Sequence, residues 1–257
     1  MFQISPIPAF HDNYFWLIES DTETWVVDPG DATPVIKALQ DRGKKLSGIL
    51  ITHHHSDHIG GVKELHYPGL QVIGPTKDRF ELVNDAVSDG DIRQVCGAQF
   101  KVIEVPGHTL NHIAFFSTPS GQAPVLFSGD TLFAAGCGRL FEGTPKQMFR
   151  SLNRLLALPD NTQVYCAHEY TEANLRFALS VEPGNQDIVQ RVREVSGLRA
   201  QGIPSVPTNI KIEKATNPFL RTTSAEITSN IKAKLESTGT PDQTEIFAQL
   251  RKMKDIF

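Results

Sequence analysis

An α/β fold followed by a small all-helical unit is predicted for this 257-residue chain, and three observations predict it. Four separate strand-like runs each deliver a His or an Asp at the carboxyl end, where open sheets with helices on their faces place ligand-binding groups. After His168 the short runs with turns give way to helical periodicity. The length also suffices for a substantial core, in one large and one small unit with a boundary at Glu169 to Thr171, giving residues 1–169 and 170–257.

Ahead of the four runs, Trp25-Val26-Val27 ends at Asp28 before the turn pair Pro29-Gly30. The first of the four, Ser47 to Thr52, reads as a buried strand and leads into His53-His54-His55-Ser56-Asp57-His58. No ordinary packing problem calls for four imidazoles and a carboxylate in so short a stretch. Neutral imidazole suits zinc and iron, carboxylate oxygen suits harder cations, and the mixture points to one or two divalent transition metals. In extended chain, residues two apart project to one side, so His53 and His55 can share an ion while His54 points away. Asp57 and His58 come after the turn and do not easily reach that ion, which argues for a second beside it. Gly60 to Leu65 can carry a helix behind the cluster. The remaining runs supply further ligands: Phe100 to Val105 leads to Pro106-Gly107-His108, Pro124 to Gly129 ends at Asp130, and Thr162 to Ala167 ends at His168.

Three helices are predicted after this point. Thr171 is the expected N-cap of the first, which carries Leu175, Phe177, Ala178 and Leu179 and stops at Pro183-Gly184. The second runs from Asp187 to Ala200 with Ile188, Val192, Val195 and Leu198 on one face. Ile203 to Pro218, with three prolines, reads as a connection. The last helix begins at Thr240-Pro241-Asp242, where a cap, a Pro and a carboxylate are all favourable. Its expected buried stripe is Ile246, Leu250, Met253 and Phe257. Arg251 and Lys254 fall on a neighbouring face, which periodicity alone makes a solvated basic surface.

The order Thr-His-x-His-x-Asp-His from Thr52, then Gly-His-Thr, Gly-Asp-Thr and Ala-His-Glu resembles the metallo-β-lactamase superfamily. Asp12-Asn13-Tyr14, Val27-Asp28-Pro29-Gly30, Gly129 to Phe133, Gly136-Cys137-Gly138 through Gly143, His168-Glu169-Tyr170-Thr171 and Glu182-Pro183-Gly184-Asn185 narrow the resemblance to glyoxalase II, the hydroxyacylglutathione hydrolases. The resemblance implies an αβ/βα sandwich of two mixed sheets flanked by helices, then a helical glutathione-binding domain. It implies that His53, His55 and His108 hold one metal, that Asp57, His58 and His168 hold the other, and that Asp130 bridges them. Zinc is the first expectation for these two divalent ions, and iron or manganese also fits the donors. Two such ions lower the pKa of a shared water toward neutrality, so no side-chain nucleophile is needed. Asp130, Asp57 and His58 would be central to the chemistry. Asp28 would support the metal shell by a hydrogen bond. The implied reaction is hydrolysis of S-(2-hydroxyacyl)glutathione thioesters, chiefly S-D-lactoylglutathione, to D-lactate and glutathione. Arg251 and Lys254 match a pair that binds the glycine carboxylate of glutathione, and Arg139 and Tyr170 match other glutathione contacts. Phe141 stands where relatives carry Tyr, and Asn111 and Ala114 differ from the commoner residues beside His108. His112 reads as a packing or supporting histidine.

Composition fits a soluble enzyme, and a cytoplasmic monomer is expected. There is no bilayer-length apolar stretch, and the start Met1-Phe2-Gln3-Ile4-Ser5-Pro6 lacks the parts of a signal peptide. Cys96, Cys137 and Cys166 are odd in number and widely spaced, which suits a reducing compartment. Cys137 has no base among its immediate neighbours, so a nucleophilic thiol is not expected. A formal charge of −4 without a basic stripe argues against nucleic acid as partner, and hence against a nuclease. A mononuclear iron persulfide dioxygenase shares the metal motif, but the helical extension with Arg251 and Lys254 favours the thioesterase. A non-catalytic metal-binding module would not need all seven ligands.

Overall fold

The computed structural model describes residues 1–76, 80–232 and 241–257. The chain divides into two compact units, residues 1–104, 111–129 and 165–168 in one, and residues 105–110, 130–164 and 169–257 in the other.

The first unit carries a six-stranded mixed sheet of β1 (Gln3–Ala9), β2 (Asn13–Glu19), β3 (Thr24–Val27), β4 (Gly48–Leu50), β5 (Gln71–Pro75) and β6 (Asp85–Val87), in that order. The first three strands are antiparallel, and β3 to β6 run parallel. Helix α1 (Ala32–Arg42) crosses from β3 to β4, capped by Asp31 at its start and closed by Gly43 in the left-handed region at φ 62°. Its apolar face packs Val35, Ala38 and Leu39 against Val26, Ile49 and Val72 of the sheet. The short helices α2 (Ser56–Ile59) and α3 (Val62–Leu65) follow β4. An antiparallel set joins β7 (Ile92–Val95), β8 (Ala98–Glu104), β9 (Ile113–Ser117) and β10 (Val125–Gly129), and the end of β13 (Gln163–Cys166) continues it beside β10.

In the second unit β11 (Leu132–Phe133) and β12 (Gly136–Cys137) form a two-stranded hairpin, and β14 (Thr208–Asn209) pairs with the beginning of β13. The helices are α4 (Pro145–Leu156), α5 (Thr171–Val181), α6 (Gln186–Ala200), α7 (Ile210–Thr216), α8 (Ala225–Lys232) and α9 (Gln243–Asp255), with a 3₁₀ turn at Pro218–Leu220. Thr144 and Gln147 close a capping box on α4. Leu175, Ala178, Ile188 and Val195 of α5 and α6 pack with Ala135 of the hairpin turn. No described helix is long and apolar enough to cross a membrane.

Several sequence expectations need correction at the helix ends. Thr171 is the first residue of α5 rather than its cap, and its hydroxyl instead hydrogen-bonds with Ser205 Oγ at 2.6 Å. Helix α6 starts at Gln186 and is capped by Asn185. Helix α9 is capped by Asp242 in a box with Glu245, so Pro241 lies ahead of the helix, and Thr240 lies outside the described residues. The buried stripe of α9 is Ile246, Phe247, Leu250 and Arg251. Phe257 falls beyond the helix end and is 63% exposed, while Met253 is half-buried.

Candidate metal centre

Each strand run ends within two residues of where the sequence places it, so the ligands follow closely on the carboxyl ends. In the first unit, β4 passes through Ile51 and Thr52 into buried His53. Thr52 donates from its backbone N–H to Asp28 Oδ1 at 2.7 Å and from Oγ1 to Asp28 Oδ2 at 2.6 Å. With that hydroxyl proton committed, His53 Nδ1 at 3.1 Å is the donor to Thr52 Oγ1. His53 Nε2 then lies 3.2 Å from His55 Nδ1, two imidazole nitrogens brought together as the alternation predicted.

Beside them, Asp57, His58 and His168 offer ligand atoms that all lie within 4.8 Å of one another. His58 Nδ1 is 3.1 Å from Asp28 Oδ2, and His168 Nδ1 is 2.8 Å from Asp12 Oδ1. Each neutral ring has one proton, and these carboxylates take it at Nδ1. Both Nε2 atoms then point at Asp57 Oδ2, each from 3.4 Å. Two ring lone pairs and a carboxylate converge on one point, a donor set that a divalent cation fits. Burial opposes ionisation of Asp57, but with no cation bound, hydrogen bonding with His168 and His58 and the charge of a protonated His58 outweigh it and hold the carboxyl well below the usual range. Asn13 adds a hydrogen bond to Asp57 Oδ2 at 3.2 Å. Asp28, His53 and His58 also lie close enough to chelate. Asp28, however, already has both oxygens in hydrogen bonds, which makes it a support for the ligands.

The local backbone is built for this convergence. Asp28 adopts φ 51°, a left-handed conformation uncommon for a residue with a side chain. Gly30, two residues on, lies so close to the chain at Asp57 that a Cβ would sit 1.9 Å from the Asp57 carbonyl oxygen. His168 is registered by a bridge between Asn13 and His168 and by Tyr14 N–H donating to Ala167 O at 2.7 Å. Asp12 and Asn13 had only their place in a motif to recommend them, because the strand pairing that brings them to His168 and Asp57 leaves no local signal. His112 is fully buried and stacks on His53 with ring centroids 4.6 Å apart, a packing position.

In the second unit His108 Nε2 lies 3.4 Å from Asp130 Oδ2. Its Nδ1 is 2.9 Å from the carbonyl oxygen of Arg139, which can only accept, so the proton is on Nδ1 and Nε2 is left for a ligand role. Phe141 is 64% exposed, with its ring 5.3 Å from that of His108. Cys137 is buried, and burial pushes its thiol up to about 11 despite Arg251 alongside, so it is no nucleophile at neutral pH.

Residues 10–168 match the metallo-beta-lactamase superfamily, and residues 169–257 match the hydroxyacylglutathione hydrolase C-terminus. A protein from Pseudomonas entomophila named hydroxyacylglutathione hydrolase is 52% identical, with the whole of both chains aligned. Another of the same name from Photobacterium profundum is 50% identical, again over both full lengths. The chain belongs to the hydroxyacylglutathione hydrolases. Among solved structures, ETHE1 from Myxococcus xanthus shares the fold with a TM-score of 0.64 at 23% identity, covering 100% of this chain and 99% of that one. TTHA1623, solved in a di-iron-bound form, superposes with a TM-score of 0.60 at 26% identity, covering 85% of this chain and 100% of its own. The architecture is accordingly a metallo-β-lactamase domain, with mixed sheets flanked by helices, followed by the family's helical domain.

The residues that family resemblance assigns to glutathione lie in the second unit of this hydroxyacylglutathione hydrolase. Half-buried Tyr170 precedes α5, with its ring 5.3 Å from that of Phe133. The exposed Arg139 side chain reaches Asp255 at 3.7 Å. Lys254 is half-buried, donates to Ala173 O at 3.0 Å and lies 5.6 Å and 5.5 Å from the ring centres of Phe177 and Phe257. Burial and the neighbouring Arg251, Arg176 and Arg139 lower its pKa to about 8. Arg251 is not on a solvated basic face. It is 5% exposed, stacks over Phe219, pairs with Asp255 at 3.0 Å and donates to Cys137 O at 2.7 Å.

Proposed function

We propose that this chain hydrolyses S-(2-hydroxyacyl)glutathione thioesters, chiefly S-D-lactoylglutathione, to D-lactate and glutathione, acting as a cytoplasmic monomer without nucleic-acid partners. The observation that carries the reading is the convergence of His58 Nε2, His168 Nε2 and Asp57 Oδ2, with both rings anchored through Nδ1 to carboxylates. Asp57, His58 and His168 would hold one divalent ion, His53, His55 and His108 the other, and Asp130 would bridge them. Zinc is the first candidate, with iron or manganese accepted by the same donors. The chemistry such a pair supplies when bound is Lewis acidity, which polarises a carbonyl and makes a water acidic enough to ionise near neutral pH.

The chain's own residues do the positioning. Asp28 and Asp12 fix the rings of His58 and His168, so their Nε2 atoms need no reorganisation to act as ligands. Lys254 offers a cation to the glycine carboxylate of glutathione, with Arg251, Arg139 and Tyr170 completing that binding face. A thiolate is a good leaving group, so no dedicated general acid is needed.

Release of free thiol from S-D-lactoylglutathione, measured before and after chelation and after adding back zinc, iron or manganese, tests the reading. Chelator-sensitive turnover that metal restores is the expected result. A metal-loaded protein that leaves this thioester intact would overturn the substrate assignment while keeping the metal centre.

A further inference from the structure

The β11–β12 hairpin is held along its backbone by side chains from the family's helical domain. Asn217 Nδ2 donates to Phe133 O at 3.3 Å and to Gly136 O at 2.9 Å. Asn174 Nδ2 donates to Ala134 O at 3.0 Å. Glu213 Oε2 accepts from Ala135 N–H at 2.8 Å. Arg251 Nη1 donates to Cys137 O at 2.7 Å. Every residue from 133 to 137 is therefore gripped through a backbone group. The four side chains come from α5, α7, the residue ending α7, and α9, and all four are at least 95% buried. Buried polar groups of this kind cost free energy unless each finds its partner, so the hairpin and the helices specify each other's position. A two-residue turn with Ala135 at φ 53° would not by itself justify such an investment.

The hairpin's output is the ligand pair. Immediately after it, Gly138 N–H donates to Thr131 O at 3.3 Å. Gly138 packs so tightly that a Cβ would lie 2.0 Å from Asp130 O and 3.0 Å from His108 Nδ1. The next carbonyl, that of Arg139, receives the His108 Nδ1 proton and aims Nε2 toward Asp130. We propose that Asn174, Glu213, Asn217 and Arg251 are positioning residues, which set the ring of His108 and thereby the affinity for the ion that His108 and Asp130 take. The helical domain would thus shape the metal centre as well as receive glutathione. The metal half of this inference rests on the reading given under Proposed function.

The test uses the full chain with Asn217→Ala and the milder Asn174→Ala, and Arg221→Ala as a control for general destabilisation. Arg221 pairs with Glu182 at 2.7 Å and 2.8 Å in the same helical domain and bonds Lys214 O rather than the hairpin. Two readouts are taken below the melting temperature of every variant. One is zinc affinity by competition with a chelator. The other is the His108 ring tautomer in metal-free protein by ¹⁵N NMR. Asn217→Ala is expected to weaken one of two zinc ions by about tenfold or more. In the same variant the His108 Nδ1–H state becomes mixed, and kcat falls while KM changes less than about threefold. The control is expected to match wild type in both readouts. Hairpin variants that keep the wild-type tautomer and zinc affinity would overturn the inference, and if Asn217→Ala does not fold, Asn174→Ala decides alone. A wild-type chain that takes up no zinc would sink the metal reading, yet the tautomer would still decide whether the helices position His108.

Discussion

Asp12 and His168, separated by 156 residues in sequence, meet with Oδ1 and Nδ1 at 2.8 Å. The contact fixes which His168 nitrogen carries the proton and turns the other toward Asp57. Asp12→Ala is therefore expected to weaken metal binding by about tenfold to a hundredfold, the usual cost of losing an outer partner of a ligating histidine. Asp12→Asn, which keeps an acceptor oxygen, should retain most of the affinity. Zinc competition with a chelator distinguishes the two, and equal loss in both variants would count against the orienting role.

Asp28 combines two demands that substitution can separate. Its backbone is left-handed, a region Asn enters more readily than most residues, while both carboxylate oxygens accept hydrogen bonds from Thr52 and one also meets His58. Asp28→Asn should keep the backbone but put an amide N–H₂ against at least one donor. The expected outcome is a loss of metal affinity of about tenfold with a smaller change in melting temperature than Asp28→Ala. A large thermal loss in Asn with metal affinity intact would instead make Asp28 a folding residue.

The strand ends were legible because hydrophobic runs, turn residues and ligands share one short stretch of sequence. The alternation that separates His53 and His55 from His54 is local geometry, and the structure brings those two ring nitrogens together. Asp12 and Asn13 were not assigned roles, since their partners depend on a long-range register. Arg251 looked like part of a solvated face because helical periodicity reports spacing and says nothing of what packs against the helix. Burial over Phe219 and against the Cys137 carbonyl requires the hairpin, which no periodicity encodes. The start of α6 and the caps of α5 and α9 were misplaced by one to two residues, the scale on which helix boundaries are commonly uncertain.

Lys254, on the glutathione-binding face proposed above, is expected to give substrate binding a pH dependence. Burial and three nearby guanidinium groups bring its pKa to about 8, so the ammonium is present below that pH and lost as pH rises through it. If it holds the glycine carboxylate of the thioester, KM should rise between pH 7 and pH 9 by about tenfold, the worth of one charge-assisted hydrogen bond. Lys254→Ala should already show the high KM at pH 7, with kcat little changed and no further rise. A wild-type KM that stays flat across this range would remove Lys254 from the binding face.

Gly138 tests the geometry around Asp130 most directly. A methyl group at this position would enter the Asp130 carbonyl at 2.0 Å and crowd His108 Nδ1 at 3.0 Å. The first contact is with backbone, so no rotamer change relieves it and the chain from 130 to 139 has to move. Overpacking of this kind costs about 3 kcal/mol or more, which corresponds to a melting temperature lower by roughly 6 °C or more for a chain of this size. Movement of the Arg139 carbonyl would also release the His108 Nδ1 proton, so metal affinity should fall together with stability in Gly138→Ala. Addition of excess zinc should recover part of the lost melting temperature by mass action. A variant with wild-type stability and wild-type zinc affinity would mean that the close approach of Gly138 to Asp130 is not required by the metal centre.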